Sequence, residues 1–126
     1  MKKWINTWLL GLGLFTSSLL SQSVSLDSFQ EIQALNIQKC AVVQVNAAWN
    51  YNNRVKVEKL ADLCYVAEID LTNKTVGAVI QKEWNIKVVP TIIILKEGKE
   101  IERYEPGISM RFDEREVFDK IKKQIK

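Results

Sequence analysis

Two stretches of the chain are almost continuously apolar and β-branched, and around them apolar positions recur every three or four residues. The run "CAVVQVNA" from Cys40 to Ala47 predicts a central strand covered on both faces. Ahead of it, "SVSL" (Ser23 to Leu26) predicts a short edge strand. Asp27 then caps a helix on which Phe29, Ile32 and Leu35 to Ile37 share one face. Beyond Trp49, "NNRVKVEKLADL" sets Val57, Leu60, Ala61 and Cys64 at spacings of three and four, which predicts a helix of about three turns. The strand "YVAEIDL" (Tyr65 to Leu71) follows, and so short a strand, helix, strand unit implies a right-handed parallel crossover.

The second half repeats the alternation. "TNKTVGAVIQKEWNI" predicts a helix with Val76, Val79, Ile80 and Trp84 inward and Thr72 or Asn73 at its cap. "VVPTIIIL" (Val88 to Leu95), the turn "KEGKE" around Gly98 and "IERYE" (Ile101 to Glu105) predict an antiparallel hairpin. The last segment, "FDEREVFDKIKKQIK", carries Val117, Phe118, Ile121 and Ile125 as an apolar stripe. Its acidic residues come first and its lysines last, as a helix dipole favours. The lysine-rich end is read as a solvated face. The chain contains no internal repeat and no low-complexity tract. The elements amount to an α/β class fold, a central mixed sheet of four to five strands flanked by helices on both faces.

The first 22 residues follow a different pattern. Lys2 and Lys3 precede the 13-residue apolar run from Trp8 to Leu20, and the small polar "SQS" comes after it. That order is the order of a secretory signal peptide, and the run is short for a membrane span. The expected division is therefore residues 1–22 as a cleaved leader and 23–126 as one domain, exported to a periplasmic or extracellular compartment. A retained leader would tether the domain at a membrane.

Composition narrows the chemistry. With 126 residues and 47% hydrophobic content the chain has the material for a single core. Taking Lys2 and Lys3 from the 18 basic residues leaves 16 against 15 acidic ones, a net charge of +1, so no nucleic-acid partner is expected. The absence of histidine removes Ser/His/Asp triads, Cys/His pairs and His-ligated zinc. Two cysteines alone do not complete a zinc site either, so no metal or other cofactor is expected. Glu68 and Asp70 lie along a strand expected to be central and Asp62 on the helix face before it, so they do not pair convincingly as an acid and base. The "NKT" at Asn73 matches a glycosylation sequon but is read as a helix start. Cys40 opens one strand and Cys64 leads into the next; an oxidising compartment would permit a disulfide between them, but the expectation for both is a buried free thiol behaving as a small hydrophobe.

The motifs in order resemble the thioredoxin family over 24–126. "SLDSFQEI" is similar to the family's opening strand and helix. "AAW" (Ala47 to Trp49) is similar to the segment leading into its Trp-Cys-Gly-Pro-Cys motif, and "VVPTIII" to its cis-proline strand. "KEGKEIERYEPGIS" is similar to its hairpin, with Gly98 at the turn and Gly107 before the last helix. The resemblance implies a thioredoxin fold and a cis peptide at Pro90. It also exposes departures. The two motif cysteines fall on Asn50 and Asn53, the family's buried carboxylate falls on Gln44, and the stretch from Asn53 to Asp70 is shorter than usual.

An asparagine amide is neither a nucleophile nor a redox carrier, so no catalytic residue is assigned and dithiol–disulfide oxidoreductase activity is not expected. The expected function is a redox-inactive, thioredoxin-like protein that binds an extended polypeptide or partner protein. The candidate peptide-binding residues are Trp49, Asn50, Tyr51, Asn52, Asn53, Val89 and Pro90. The alternatives are a monothiol or peroxide-reactive enzyme using Cys64 and a structural subunit of a larger assembly.

Overall fold

The structure, a computed structural model, describes residues 23–106 and 113–125. The leader expected at 1–22 and Gly107 lie outside the described residues. Five strands form one mixed sheet: β1 (Val24–Ser25), β2 (Ala41–Asn46), β3 (Tyr65–Asp70), β4 (Thr91–Lys96) and β5 (Lys99–Tyr104). Their spatial order is β1-β3-β2-β4-β5; β1 and β2 run parallel to β3, and β4 runs antiparallel to both β2 and β5. All six residues of β2 are buried, as a strand between two layers requires.

Alternation along the strands divides the core. On one face Ala41, Val43, Val45, Ala67, Ile69 and Ile93 pack against Ile32 of α1 (Phe29–Gln33) and Leu35 in the turn after it, and against Val76 at the cap of α2 (Gly77–Glu83) and Ile80 within it. On the other, Val42, Val66, Ile92 and Ile94 pack against Val57 and Leu60 and against α3 (Glu114–Ile125) through Val117 and Ile121. Phe118 and Ile125 flank that contact, so the terminal stripe is as expected.

Several helix expectations are corrected. The cap of α1 is Ser28, not Asp27: the Glu31 amide donates to Ser28 Oγ (3.2 Å), and Glu31 Oε1 accepts from the Asp27 amide (3.1 Å), a reciprocal arrangement that Asp27 is one residue too early to make. After Gln33 the chain tightens into a 3₁₀ turn, Ala34–Ile37, which rotates the apolar face. Leu35 is buried while Phe29 and Ile37 are exposed. In α2, Val76 and Ile80 point inward and Val79 outward. Here Asn73 Oδ1 caps the preceding turn by accepting from the amides of Thr75 and Val76.

The three-turn helix expected over 52–63 is absent. Two 3₁₀ segments, Ala48–Asn53 and Val57–Leu60, stand in its place. The break has an identifiable cause at Val55, whose N–H donates to Gln44 Oε1 (2.8 Å) and whose C=O accepts from Gln44 Nε2 (2.7 Å). Both backbone groups that a helix would use are thus taken by one buried side chain.

The β4–β5 turn is a two-residue loop with Glu97 at φ 52° and Gly98 at φ 82°, the left-handed pair a tight hairpin needs. A Cβ on Gly98 would also press against the Asn36 side chain and backbone. Gly98→Ala is expected to lower the unfolding free energy by about 1–2 kcal/mol, read by urea titration, because it combines a positive φ with that close approach.

Candidate functional site

The parallel strands β2 and β3 end at the same edge, and their last residues on the α3 side change from apolar to polar. Val42 is followed two and four residues on by Gln44 and Asn46, and Val66 by Glu68. These side chains form one network. The Glu68 carboxylate accepts from Asn46 Nδ2 (3.0 Å), Gln44 Nε2 (3.5 Å) and Ser23 Oγ, and lies 3.4 Å from the Arg54 guanidinium. Arg54 also holds Glu58 at 2.9 Å. Gln44 stands where the resemblance places a buried carboxylate. A neutral amide suits that position because it can donate to and accept from Val55 at once, which a carboxylate cannot.

The network fixes the loop that leaves β2. Asn50 Oδ1 accepts from the Ala47 amide (2.6 Å) and Asn50 Nδ2 donates to Asn46 Oδ1 (3.0 Å). Asn50 is only 7% exposed, and its side chain supports the loop through these two hydrogen bonds. Asn52 and Asn53 are exposed. The Tyr51 side chain lies outside the described residues.

Trp49 projects from this loop with 76% of its surface accessible, so it does not serve as a lid on the core. Opposite it runs the bend that leads into β4. The Val89–Pro90 peptide is cis, as the resemblance implied, Pro90 is buried, and Thr91 Oγ1 ties the bend by donating to Val88 O (2.7 Å). The β2–β4 ladder stops at the Val45 and Thr91 pair. Among the described residues the N–H and C=O of Val89 enter no hydrogen bond. Trp49, Leu71, Ile86, Val88 and Val89 line a groove of about 230 Å³ with Gln81 and Lys87 at its rim. The structure therefore brings Trp49 and Val89 together, Pro90 setting the bend from beneath.

A larger hollow of about 480 Å³ lies between α1, the end of α2 and the hairpin. Of its charged groups, Arg103 and Glu100 are engaged with each other. Arg103 pairs with Glu100 (2.8 Å) and donates to the Trp84 and Asn85 carbonyls at 2.8 and 3.1 Å, closing the C-terminus of α2. The hydrogen bond to Glu100 holds the Arg103 pKa above its ordinary value. That hollow offers structural pairing and no convergent reactive groups.

The sulfurs lie at the other end of the sheet. Cys40 and Cys64 form a disulfide, with Cα atoms 5.1 Å apart, which corrects the expectation of two free thiols. The cause is register: Ala41 pairs with Tyr65, so the residues immediately before them are lateral neighbours on parallel strands, within the range a disulfide spans. Cys64, being bonded, is not the free thiol that the monothiol reading required. Strand β2 separates this bond from the Trp49 loop by about 20 Å. The described residues thus hold one bonded sulfur pair, at the end of the sheet away from Trp49, and no cysteine at the Trp49 surface. No metal-binding group of three or more acidic or cysteine side chains occurs among the described residues.

No sequence-family model matches the chain, and no curated protein matches it. Solved structures do. It is similar to a Fasciola hepatica thioredoxin (22% identity, 79% of this chain and 97% of that one, TM-score 0.63). It is similar to a Schistosoma mansoni thioredoxin (20%, 82% and 96%, TM-score 0.64). It is likewise similar to thioredoxin O2 from Arabidopsis thaliana in its oxidised state (18%, 84% and 96%, TM-score 0.66). The chain has the thioredoxin fold.

Proposed function

We propose that this thioredoxin-fold chain is a binding module that receives an extended polypeptide in the groove between Trp49 and the Val88-Val89-Pro90 bend, without thiol chemistry at that surface. The observation that carries the reading is the placement of an exposed indole beside a backbone N–H and C=O that no ladder uses. An extended segment adding to Val89 gains main-chain hydrogen bonds, and an apolar side chain of that segment gains the Trp49 face. Lys87 on the rim favours a segment that also carries a carboxylate. Asn52 and Asn53, exposed on the same loop, supply further polar contacts.

The disulfide supports a second part of the proposal, that the domain works in an oxidising compartment after export, because such bonds persist there and are rare in the cytosol. Membrane attachment would follow only from a retained leader.

The test is binding of fluorescein-labelled, cysteine-free extended peptides that carry an aliphatic residue beside a glutamate, followed by polarisation. Trp49→Ala is expected to weaken binding roughly tenfold to thirtyfold, the loss of about 1.5–2 kcal/mol typical of an aromatic anchor. The melting temperature should stay unchanged, because the side chain is mostly in solvent. Equal affinity of the variant and the parent would overturn the reading.

A further inference from the structure

The Cys40–Cys64 bond differs in setting from an ordinary core crosslink. Its two sulfurs belong to residues of unequal exposure: Cys64 is 7% exposed and sits among Leu60, Val66 and Ile94, while Cys40 is only partly covered. The frame around them is held independently of the sulfurs. The Tyr65 amide donates to the Cys40 carbonyl (3.1 Å) and the Cys64 amide to the Leu60 carbonyl (3.1 Å), and the parallel ladder begins at the very next residues. Opening the bond therefore leaves both sulfurs within reach of one another. Two large apolar side chains stand in solvent beside it. Ile37, 82% exposed, is three residues before Cys40, a span of at most about 10 Å. Leu63, 48% exposed, immediately precedes Cys64.

We infer that the disulfide at Cys40, the more exposed residue of the pair, near in sequence to the solvent-exposed Ile37 and Leu63, is a thiol-exchange site that accepts the dithiol of an apolar polypeptide at the end of the sheet opposite Trp49. A thiolate of the partner attacks Cys40 Sγ, the sulfur of the less buried residue. The Cys40–Cys64 bond breaks, a partner–Cys40 bond forms, and Cys64 Sγ leaves with the electron pair and takes up a proton. The partner's second thiolate then attacks its own sulfur in the mixed disulfide and releases Cys40. The partner loses two electrons and two protons and gains a disulfide; Cys40 and Cys64 gain both and become thiols. The reaction is stoichiometric and needs no other oxidant.

The site is independent of the polypeptide groove, and the experiment keeps the two apart. The full oxidised protein is mixed with a short peptide carrying two cysteines and a leucine, or with reduced glutathione, quenched with acid, alkylated and weighed. The expected result is reduction within minutes without denaturant, at an unaltered rate in Trp49→Ala, and with the near-ultraviolet circular dichroism of the fold retained. Cys64→Ala mixed with the oxidised peptide should trap a mixed disulfide at Cys40. Ile37→Ser combined with Leu63→Ser should slow the peptide reaction roughly tenfold, as loss of two modest apolar contacts would, and leave the glutathione rate unchanged. Resistance of the bond to both thiols until urea unfolds the chain would overturn the inference. Equal peptide rates for the parent and the Ile37/Leu63 variant would overturn the assignment of an apolar partner.

Discussion

Replacing Cys40 and Cys64 together by alanine is expected to lower the unfolding free energy by about 3–4 kcal/mol and the melting temperature by roughly 15–25 °C. The bond joins residues 24 apart in sequence. In the chain-entropy account, closing a loop of that length removes about 3.5 kcal/mol of conformational freedom from the unfolded chain. Alanine is chosen because a serine would bury an unpartnered hydroxyl at position 64 and confuse the loss of the bond with the burial of a polar group. The measurement is urea unfolding of the oxidised parent, the reduced parent and the double variant. If the loop closure is the source, the reduced parent and the variant unfold at similar urea concentrations, both well below the oxidised parent. Coincident midpoints for all three would show that the bond adds nothing to stability.

Gln44→Leu is expected to lower the unfolding free energy by about 2 kcal/mol, since it leaves the buried Val55 N–H without a partner while adding no cavity; the Val55 C=O keeps the Val57 amide and Arg54 as donors. Gln44 is fully buried and meets both groups at 2.7–2.8 Å. The loop it holds leads back to Trp49, so peptide affinity should fall as well, measured on the folded fraction. Gln44→Glu separates charge from shape. Its carboxylate would lose the donor to Val55 and face Glu68, so burial and the like charge would both raise its folded pKa above the usual value of about 4.3. A raised folded pKa means that the folded state holds the proton longer. This variant should therefore be nearest to the parent at pH 4 and lose stability progressively as the pH rises toward 7. A pH-independent difference between Gln44→Glu and the parent would show that the carboxyl titrates in the fold as it does in the unfolded chain, against a raised folded pKa.

The two halves of this chain are unequally legible. Strands β2, β3 and β4 are runs of Val and Ile bounded by polar turns, and the burial of such a run on both sides depends on little beyond the run itself. The hairpin at Gly98 and the stripe on α3 are likewise local signals, whereas the cis peptide at Pro90 is implied only by the family resemblance. The segment 52–63 reads as a helix because its spacing of apolar residues is a helical spacing. Nothing nearby in the sequence says that Gln44, eleven residues earlier, will take both backbone groups of Val55. Asn50 is legible only in part for a similar reason: its polarity is plain in the sequence, but its burial against Asn46 and Ala47 is a consequence of the loop closing over the strand ends.

The cysteines show the same division. Their number, and the replacement of both motif positions by asparagine, are properties of the sequence and remove thiol chemistry from the Trp49 surface. Whether Cys40 and Cys64 meet depends on which strands lie side by side and in what register, a long-range outcome. Pairing Ala41 with Tyr65 brings the preceding Cα atoms to 5.1 Å, whereas a shift of two residues would carry the sulfurs out of reach. The sequence by itself determined the α/β alternation, the strand interiors and the absence of histidine chemistry, because periodicity and composition act over a few residues. Only the tertiary structure decided the disulfide, the Gln44 clamp and the meeting of Trp49 with Val89, because each joins segments whose separation along the chain carries no information about their distance in space.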